Sequence, residues 1–597
     1  KQACILRRAA SRAQNAAMPQ ETGLAGAFTL LDWGVILGIL VATTIVGERL
    51  AGKQHTIRDF FLGGRKLPWY AVAASIVATE ISAVTYVSLP SVVFKPGGNL
   101  TYLQLGLIGS LLARWIVGLV LVPAYYEREI YSPYDYGGER LGESARRATT
   151  VLFSLGGVLA QSSRVYLTAI VLEVVLHPQL AALESATGVP PIAAAVIAIG
   201  LVAVLWTWMG GIATVIWTDA ILFVLFLVGI TATLLAVQFD VAGGLSAAFS
   251  DAAGEGKFRL LDFDTDPTKV YTFWVALIGV TWWNVGSFGT DQLMAQRIFC
   301  CKDARAARRA IVASYGGMIV TVLVSFVGIG LGAYAREHPF SSAGAALIAE
   351  NADRVFPVFI VEVLPVGVKG LVLAGAFAAA ISSLDSILAA LAQTTLSAVV
   401  LPLRARKEVR DEDASAKRDV RISRALVLGW AVVLCAAAIG MASVAARYDS
   451  ILDLALGMAT YTAGALLAAF LLAFLRAPVD GRGMPWACAL SVGTVYATQW
   501  HTPQAQRVCW ILGGLVVVTW VLAALRDRQE PRSAAFLTRL LALVAGGIGL
   551  FLVSRYGVFV PEAGAPRNLA YPWCGPLGTL VAYAYARLLG HRRAARS

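Results

Sequence analysis

About fifteen stretches of this chain run for roughly 20 residues with little interruption by charge, the length a helix needs to cross the hydrocarbon of a bilayer. They centre near residues 38, 80, 114, 162, 200, 225, 282, 322, 384, 434, 463, 491, 516, 545 and 580. The last four are shorter, so about 13–15 spans are expected. In lipid every backbone polar group must be bonded internally, which leaves helices or a closed barrel. Continuous apolar runs, rather than alternating ones, select helices. The expected fold class is all-α: a polytopic membrane protein. A composition 58% hydrophobic and only 14% charged over 597 residues agrees.

A net charge of +12 raises the possibility of a nucleic-acid partner, but its distribution argues against one. If the first segment enters from outside, alternate loops and the C-terminal tail hold roughly 32 of the 49 Lys and Arg, as the positive-inside rule requires. The basic loops Gln296–Ala310 and Leu401–Arg424 both fall inside. The expectation is an integral plasma (inner) membrane protein, N-terminus outside and C-terminus cytoplasmic. Residues 1–29 read as an N-terminal extension, disordered or untranslated before Met18. Next come a peripheral span (30–50), a transporter core (66–475), additional C-terminal spans (480–590) and a basic tail (591–597).

Seven scattered cysteines form neither a disulfide framework nor a CxxC pair. The histidines His55, His177, His338, His501 and His591 lie outside the polar core segments. A membrane-embedded enzyme would need such groups at its centre, so no catalytic residue and no cofactor are expected.

The informative residues are the polar ones inside apolar runs: Glu80, Arg114, Arg164, Asp219, Asp291 and Asp385. Each costs about 2.5–3.5 kcal/mol at mid-bilayer on insertion scales. They either pair as staples or line a wet path. The run AAAISSLDS (378–386) adds neighbouring serines. Spacing places Ser382 and Ser383 one turn from Ala379, whose carbonyl can approach their hydroxyls. Transmembrane serines usually bond back to their own helix or pack small-to-small. The alternative is a sodium site, since a hard cation takes neutral or anionic oxygens. Two segments read as helices able to open and free carbonyls: SIVATEISAVTYVSLP (75–90), and VTWWNVGSFGTDQ (280–292) with Gly286, Gly289 and Asp291.

Four stretches in order resemble the sodium:solute symporter family, which includes sodium/glucose, iodide, monocarboxylate, proline and pantothenate carriers: DFFLGGRKLPWY (59–70), GGIATVIWTDA (210–220), GTDQLMAQR (289–297) and AGAFAAAISSLDS (374–386). The resemblance covers roughly residues 30–475 and implies a five-plus-five inverted helix repeat with peripheral spans. It also implies a sodium site of the Ala78, Ile81 and Ala379 carbonyls with the Ser382 and Ser383 hydroxyls. Asp219 matches a position tied in some relatives to a second ion or its exit path. The substrate is then expected beside Thr85, Tyr86, Asn284, Ser287 and Tyr461. Sugar carriers of the family close an aromatic pair where this chain has Ser287 and Phe288, and use a lysine where 310–334 has none.

The expected function is therefore sodium-coupled import of a small organic solute, preferably a small carboxylate or an amino acid, with Na⁺ and the lipid bilayer as the other partners. Alternatives are a sodium/sugar symporter, a proton-coupled carrier using Glu80 or Asp385, and a transporter-like sensor.

Overall fold

The computed structural model describes residues 29–51, 63–81, 83–128, 133–207, 212–396, 400, 412–445, 447, 451–526, 533–557 and 567–590. Much of the N-terminal extension, the basic segment 401–411, Gly210–Gly211 and the tail lie outside them. Among the described residues every regular element is helical, in accord with the all-α expectation.

We number the long elements in chain order: α1 Leu30–Ala51, α2 Trp69–Glu80, α3 Ala83–Phe94, α4 Leu100–Glu127, α5 Glu143–Val175, α6 Pro191–Thr207, α7 Ile212–Asp240, α8 Thr281–Gly289, α9 Gln292–Phe299, α10 Ala304–Ala313, α11 Met318–Glu337, α12 Val368–Thr395, α13 Glu412–Ala445, α14 Ile451–Phe474, α15 Met484–Gln499, α16 Pro503–Arg526, α17 Ala534–Tyr556 and α18 Cys574–Leu589. Each of the fifteen expected centres falls on one of these helices.

Among the described residues, nine stretches are long and apolar enough to cross a membrane unaided, or up to 11 if each bent pair counts as one. The shortfall from 13–15 has physical causes. α12 is apolar in two shorter pieces, Val368–Phe377 and Ser383–Ala392. α8 breaks off after 9 residues, and α15 and α18 have 16 each.

Burial separates centre from rim. The apolar windows of α5 and α14 are each 72% buried within the protein, whereas those of α1 and α17 are 22% buried and present leucines and valines outward, as lipid-facing spans do. α5 packs on α14, and α2 packs on α7. Close helix contact needs small residues: a Cβ on Gly464 of α14 would lie 2.7 Å from the Gly575 carbonyl and 2.8 Å from the Thr579 nitrogen of α18.

Candidate functional site

Two apolar helices are interrupted part-way along their runs. α2 stops at Glu80, where Ile81 leaves the helix with ψ at 82° while its N–H still reaches the Val77 carbonyl. The axis then turns by 54° into α3. Pro90 inside α3 further lacks the N–H that a helix interior requires. α8 stops at Gly289; Thr290 donates its N–H to Gly286 at 2.7 Å, and Asp291 starts α9 by accepting from the Leu293 N–H at 2.8 Å. Within a membrane, irregular backbone is tolerated only where protein or a water-filled cavity surrounds it.

Both breaks open onto cavities. One, of about 160 Å³, is walled by Glu80, Ile81 and Thr85 on one side and by Asn284, Ser287 and Phe288 on the other. A second, of about 130 Å³, reaches Thr79, Gln161, Thr290, Asp291 and Thr462. Ala160, Arg164, Trp283, Ser287, Met294 and Ala459 belong to both walls, so the two spaces adjoin. A turn of π-helix at Leu105–Ser110 brings Ser110 to the first cavity; such turns recur at functional sites.

Three of the intramembrane charges, Glu80, Arg114 and Asp219, are held in two ion pairs. Arg114, itself buried, is in ion-pair contact with Glu80. It donates to Ser314 at 2.9 Å and lies 4.3 Å from the Phe288 ring centroid. Ser110 donates to the other Glu80 oxygen at 3.3 Å. The second pair is Asp219 with Arg297, 3.1 Å apart and both buried. Ser75 donates to the same Asp219 oxygen at 2.7 Å and accepts from Arg297 at 2.9 Å, while Arg297 also reaches Ser386 at 3.5 Å. This cluster ties α2, α7, α9 and α12 together.

The expected residues fall into distinct places. Ala78 and Ile81 are buried at the end of α2. Ala379 lies within the unbroken α12, as do Ser382 and Ser383. Ser383 is buried, whereas the side chains of Ala379 and Ser382 lie outside the described residues. The Asp219 cluster flanks this region: Ser75 is three residues before Ala78, and Ser386 three after Ser383. Thr85, Asn284 and Ser287 come together on the first cavity wall. Tyr86 does not join them: its ring packs on Phe226 and Phe356, 5.1 and 5.4 Å between centroids. Tyr461 turns away too, accepting a hydrogen bond from Trp500 at 2.6 Å. Both are buried aromatics whose facing direction an apolar helix pattern does not encode.

Sequence reasoning missed Trp283, Met294 and Tyr571 as wall residues. Trp283 stands beside Asn284 in the broken segment 280–292, and Met294 lies two residues past its end on α9. Tyr571 precedes α18, far along the chain, and no local signal marks it.

The family model described as "Sodium:solute symporter family" matches residues 60–490. Human sodium-coupled monocarboxylate transporter 1 is 28% identical over 461 residues, covering 75% of this chain and 70% of that protein. The sodium/sialic acid symporter SiaT of Proteus mirabilis (strain HI4320) is 30% identical over 370 residues, 60% of this chain and 69% of that one. The sodium-dependent multivitamin transporter of Oryctolagus cuniculus is 25% identical over 507 residues, 84% and 72% of the respective chains. A solved substrate-bound outward-open state of a Na⁺-coupled sialic acid symporter superposes with a TM-score of 0.64 at 22% identity, over 94% of this chain and 97% of that one, which shows the inverted-repeat fold. With the model spanning the core from the segment before α2 into α15, and with both interrupted helices in place, this chain belongs to the sodium:solute symporter family.

Proposed function

We propose that the chain couples the entry of Na⁺ to the import of a small organic solute, preferably a small carboxylate or an amino acid, across the plasma membrane, with its C-terminus cytoplasmic. The observation that carries this is the break of α2 at Ile81 on the wall of a cavity that also presents Thr85, Asn284 and Ser287. A broken helix supplies main-chain oxygens with no partner of their own, and these suit a dehydrated monovalent cation. The Ala78, Ile81 and Ala379 carbonyls with the Ser382 and Ser383 hydroxyls form the ion site in this reading. Solute binds at Thr85, Asn284 and Ser287, with Tyr86 and Tyr461 behind as supporting aromatics. Asp219 holds Arg297 and acts on the ion path only when that pair opens.

Na⁺ binding orders the α2–α3 junction and so prepares the adjoining solute cavity, which gives the two ligands a mutual coupling free energy. Rocking of the bundle then exposes both to the other side. One charge crossing about 100 mV contributes about 2.3 kcal/mol, and a tenfold sodium gradient about 1.4 kcal/mol. Their sum sustains roughly 500-fold accumulation per ion. The monocarboxylate and sialic acid relatives carry a carboxylate in their cargo, which favours the acid over a sugar. Phe288, the one aromatic at the sugar-gate positions, is already covered by Arg114.

The test is sodium-dependent uptake in proteoliposomes by the Ser382→Ala/Ser383→Ala double variant. The sodium concentration for half-maximal uptake should rise at least tenfold, as expected for loss of two ligands; an unchanged value overturns the ion site. Replacing Na⁺ by choline at fixed pH should abolish uptake, and persistence would favour the proton-coupled reading.

A further inference from the structure

Resting on that reading, we propose that Tyr571 is a specificity-determining residue of the solute cavity: its phenolic hydroxyl hydrogen-bonds a hydroxyl or carbonyl substituent of the cargo and favours substituted solutes over their plain alkyl analogues.

A buried polar group without a partner costs about 1–3 kcal/mol, so each one calls for a reason. Tyr571 is 5% exposed, and its hydroxyl makes no hydrogen bond to the protein. Several buried side-chain oxygens and nitrogens are left in this way among the described residues. The Tyr571 hydroxyl is the one on the wall that also carries Thr85, Asn284 and Ser287. Its polar neighbours are Tyr102 and Asp453, and neither satisfies it. Asp453 instead accepts from the Tyr271 hydroxyl at 2.8 Å.

The backbone around Tyr571 is pinned. Gln499 donates to the Leu569 carbonyl at 2.7 Å, and the Ala570 N–H donates to the Pro267 carbonyl at 3.0 Å. A Cβ on Gly279, in the turn that leads into α8, would lie 3.0 Å from the Pro572 carbonyl oxygen, so the two chains meet there at close range. Trp573 packs on the cluster of Leu105, Val275, Ala276 and Val280. Thr579 of α18 accepts from the Trp282 indole at 3.0 Å. Held on this many sides, the ring stays at the wall, and a partner for its hydroxyl must come from the cavity. A phenol both donates and accepts, which suits a hydroxyl or carbonyl. Leu105, Leu452 and Leu456 on the same wall offer apolar contact for the carbon skeleton. A site that leaves a buried hydroxyl unpaired disfavours the analogue lacking its partner. Tyr571 comes from beyond residue 490, outside the stretch that the family model matches, so it adds a contact that the shared core does not supply.

The experiment uses full-length purified protein in nanodiscs, reading thermal stability with and without Na⁺. The probes are pairs that differ by one oxygen: L-lactate with propionate, 3-hydroxybutyrate with butyrate, and L-serine with L-alanine. In the wild type at least one oxygenated member should bind at least about threefold more tightly than its partner. Tyr571→Phe removes one oxygen and keeps the ring. It should weaken that member roughly 3- to 10-fold, as expected for one neutral hydrogen bond, and leave the plain partner within about twofold. The ligand-free melting temperature of Tyr571→Phe should be unchanged or higher, because the lost hydroxyl had no protein partner, and the response to Na⁺ alone should match the wild type. No preference in the wild type, a full preference in Tyr571→Phe, or equal weakening of both members overturns the assignment. So does a lowered ligand-free melting temperature, because that marks a structural hydrogen bond. Absence of any Na⁺ response in the wild type instead fails the sodium-coupled reading, and the paired comparison without Na⁺ then decides the role of Tyr571.

Discussion

Arg297 lies 3.1 Å from Asp219, and Ser75 donates to the same carboxylate oxygen at 2.7 Å. Four helices meet at this one oxygen cluster. Removing the carboxylate charge leaves a buried guanidinium uncompensated, a loss of about 3–5 kcal/mol for a pair of this kind. Asp219→Asn should therefore lower the melting temperature of the purified protein. Asp219→Asn/Arg297→Met should recover part of the loss, because an apolar replacement of both partners leaves no orphaned charge. Simple addition of the two single effects would show that the pair is not coupled.

Glu80 stands on the cavity wall with one oxygen on Arg114 and the other accepting from Ser110. Removing its charge takes that ion pair from Arg114. Glu80→Gln should lower the melting temperature of the purified protein while uptake stays dependent on Na⁺ and gains nothing from an inward proton gradient. Proton-driven uptake by the wild type that is lost in Glu80→Gln would assign Glu80 a proton-carrying role.

Gly464 permits α14 and α18 to touch through their backbones. Gly464→Val sets a side chain against the Gly575 carbonyl and the Thr579 nitrogen, which are main-chain atoms and yield little. The expected cost is about 1–3 kcal/mol, seen as a lower melting temperature. An unaltered melt would mean that α18 is free to shift away.

Cys301, buried between α9 and α10, has its thiol pushed up to about 12, first by burial and then by the nearby Asp303 carboxylate. A raised value keeps the thiol protonated at neutral pH. Its reaction with maleimide should be negligible at about pH 7.5 and should grow only as pH climbs toward the shifted value, since the thiolate is the nucleophile. Rapid labelling of native protein, mapped to Cys301 by mass spectrometry, would contradict the placement.

Membrane physics makes some of this legible in advance. Apolar length put each of the fifteen expected centres on a helix, because a chain in lipid has few other options. The breaks at Ile81 and Thr290 were foreshadowed by Ser, Thr and Gly clustered in SIVATEIS and NVGSFGTDQ. Two of the staples anticipated among the intramembrane charges exist, Glu80 with Arg114 and Asp219 with Arg297, but their pairing required three dimensions: 34 and 78 positions separate the partners. Side-chain direction was the harder matter. Tyr86 sits next to Thr85 in sequence, yet one faces the cavity and the other packs on Phe226. Tyr571 joins the wall from beyond residue 490, where the family match ends.

The interruption of α2 at Ile81 and of α8 at Thr290 bears on the rate of the transport stroke. A rod that is already cut needs no rung broken in order to flex. The work of tilting its two halves falls instead on whatever clasps them from the side, here the Asp219 knot and the Glu80–Arg114 clasp. Loosening those clasps should change how fast the protein turns over more than how tightly it grips its cargo.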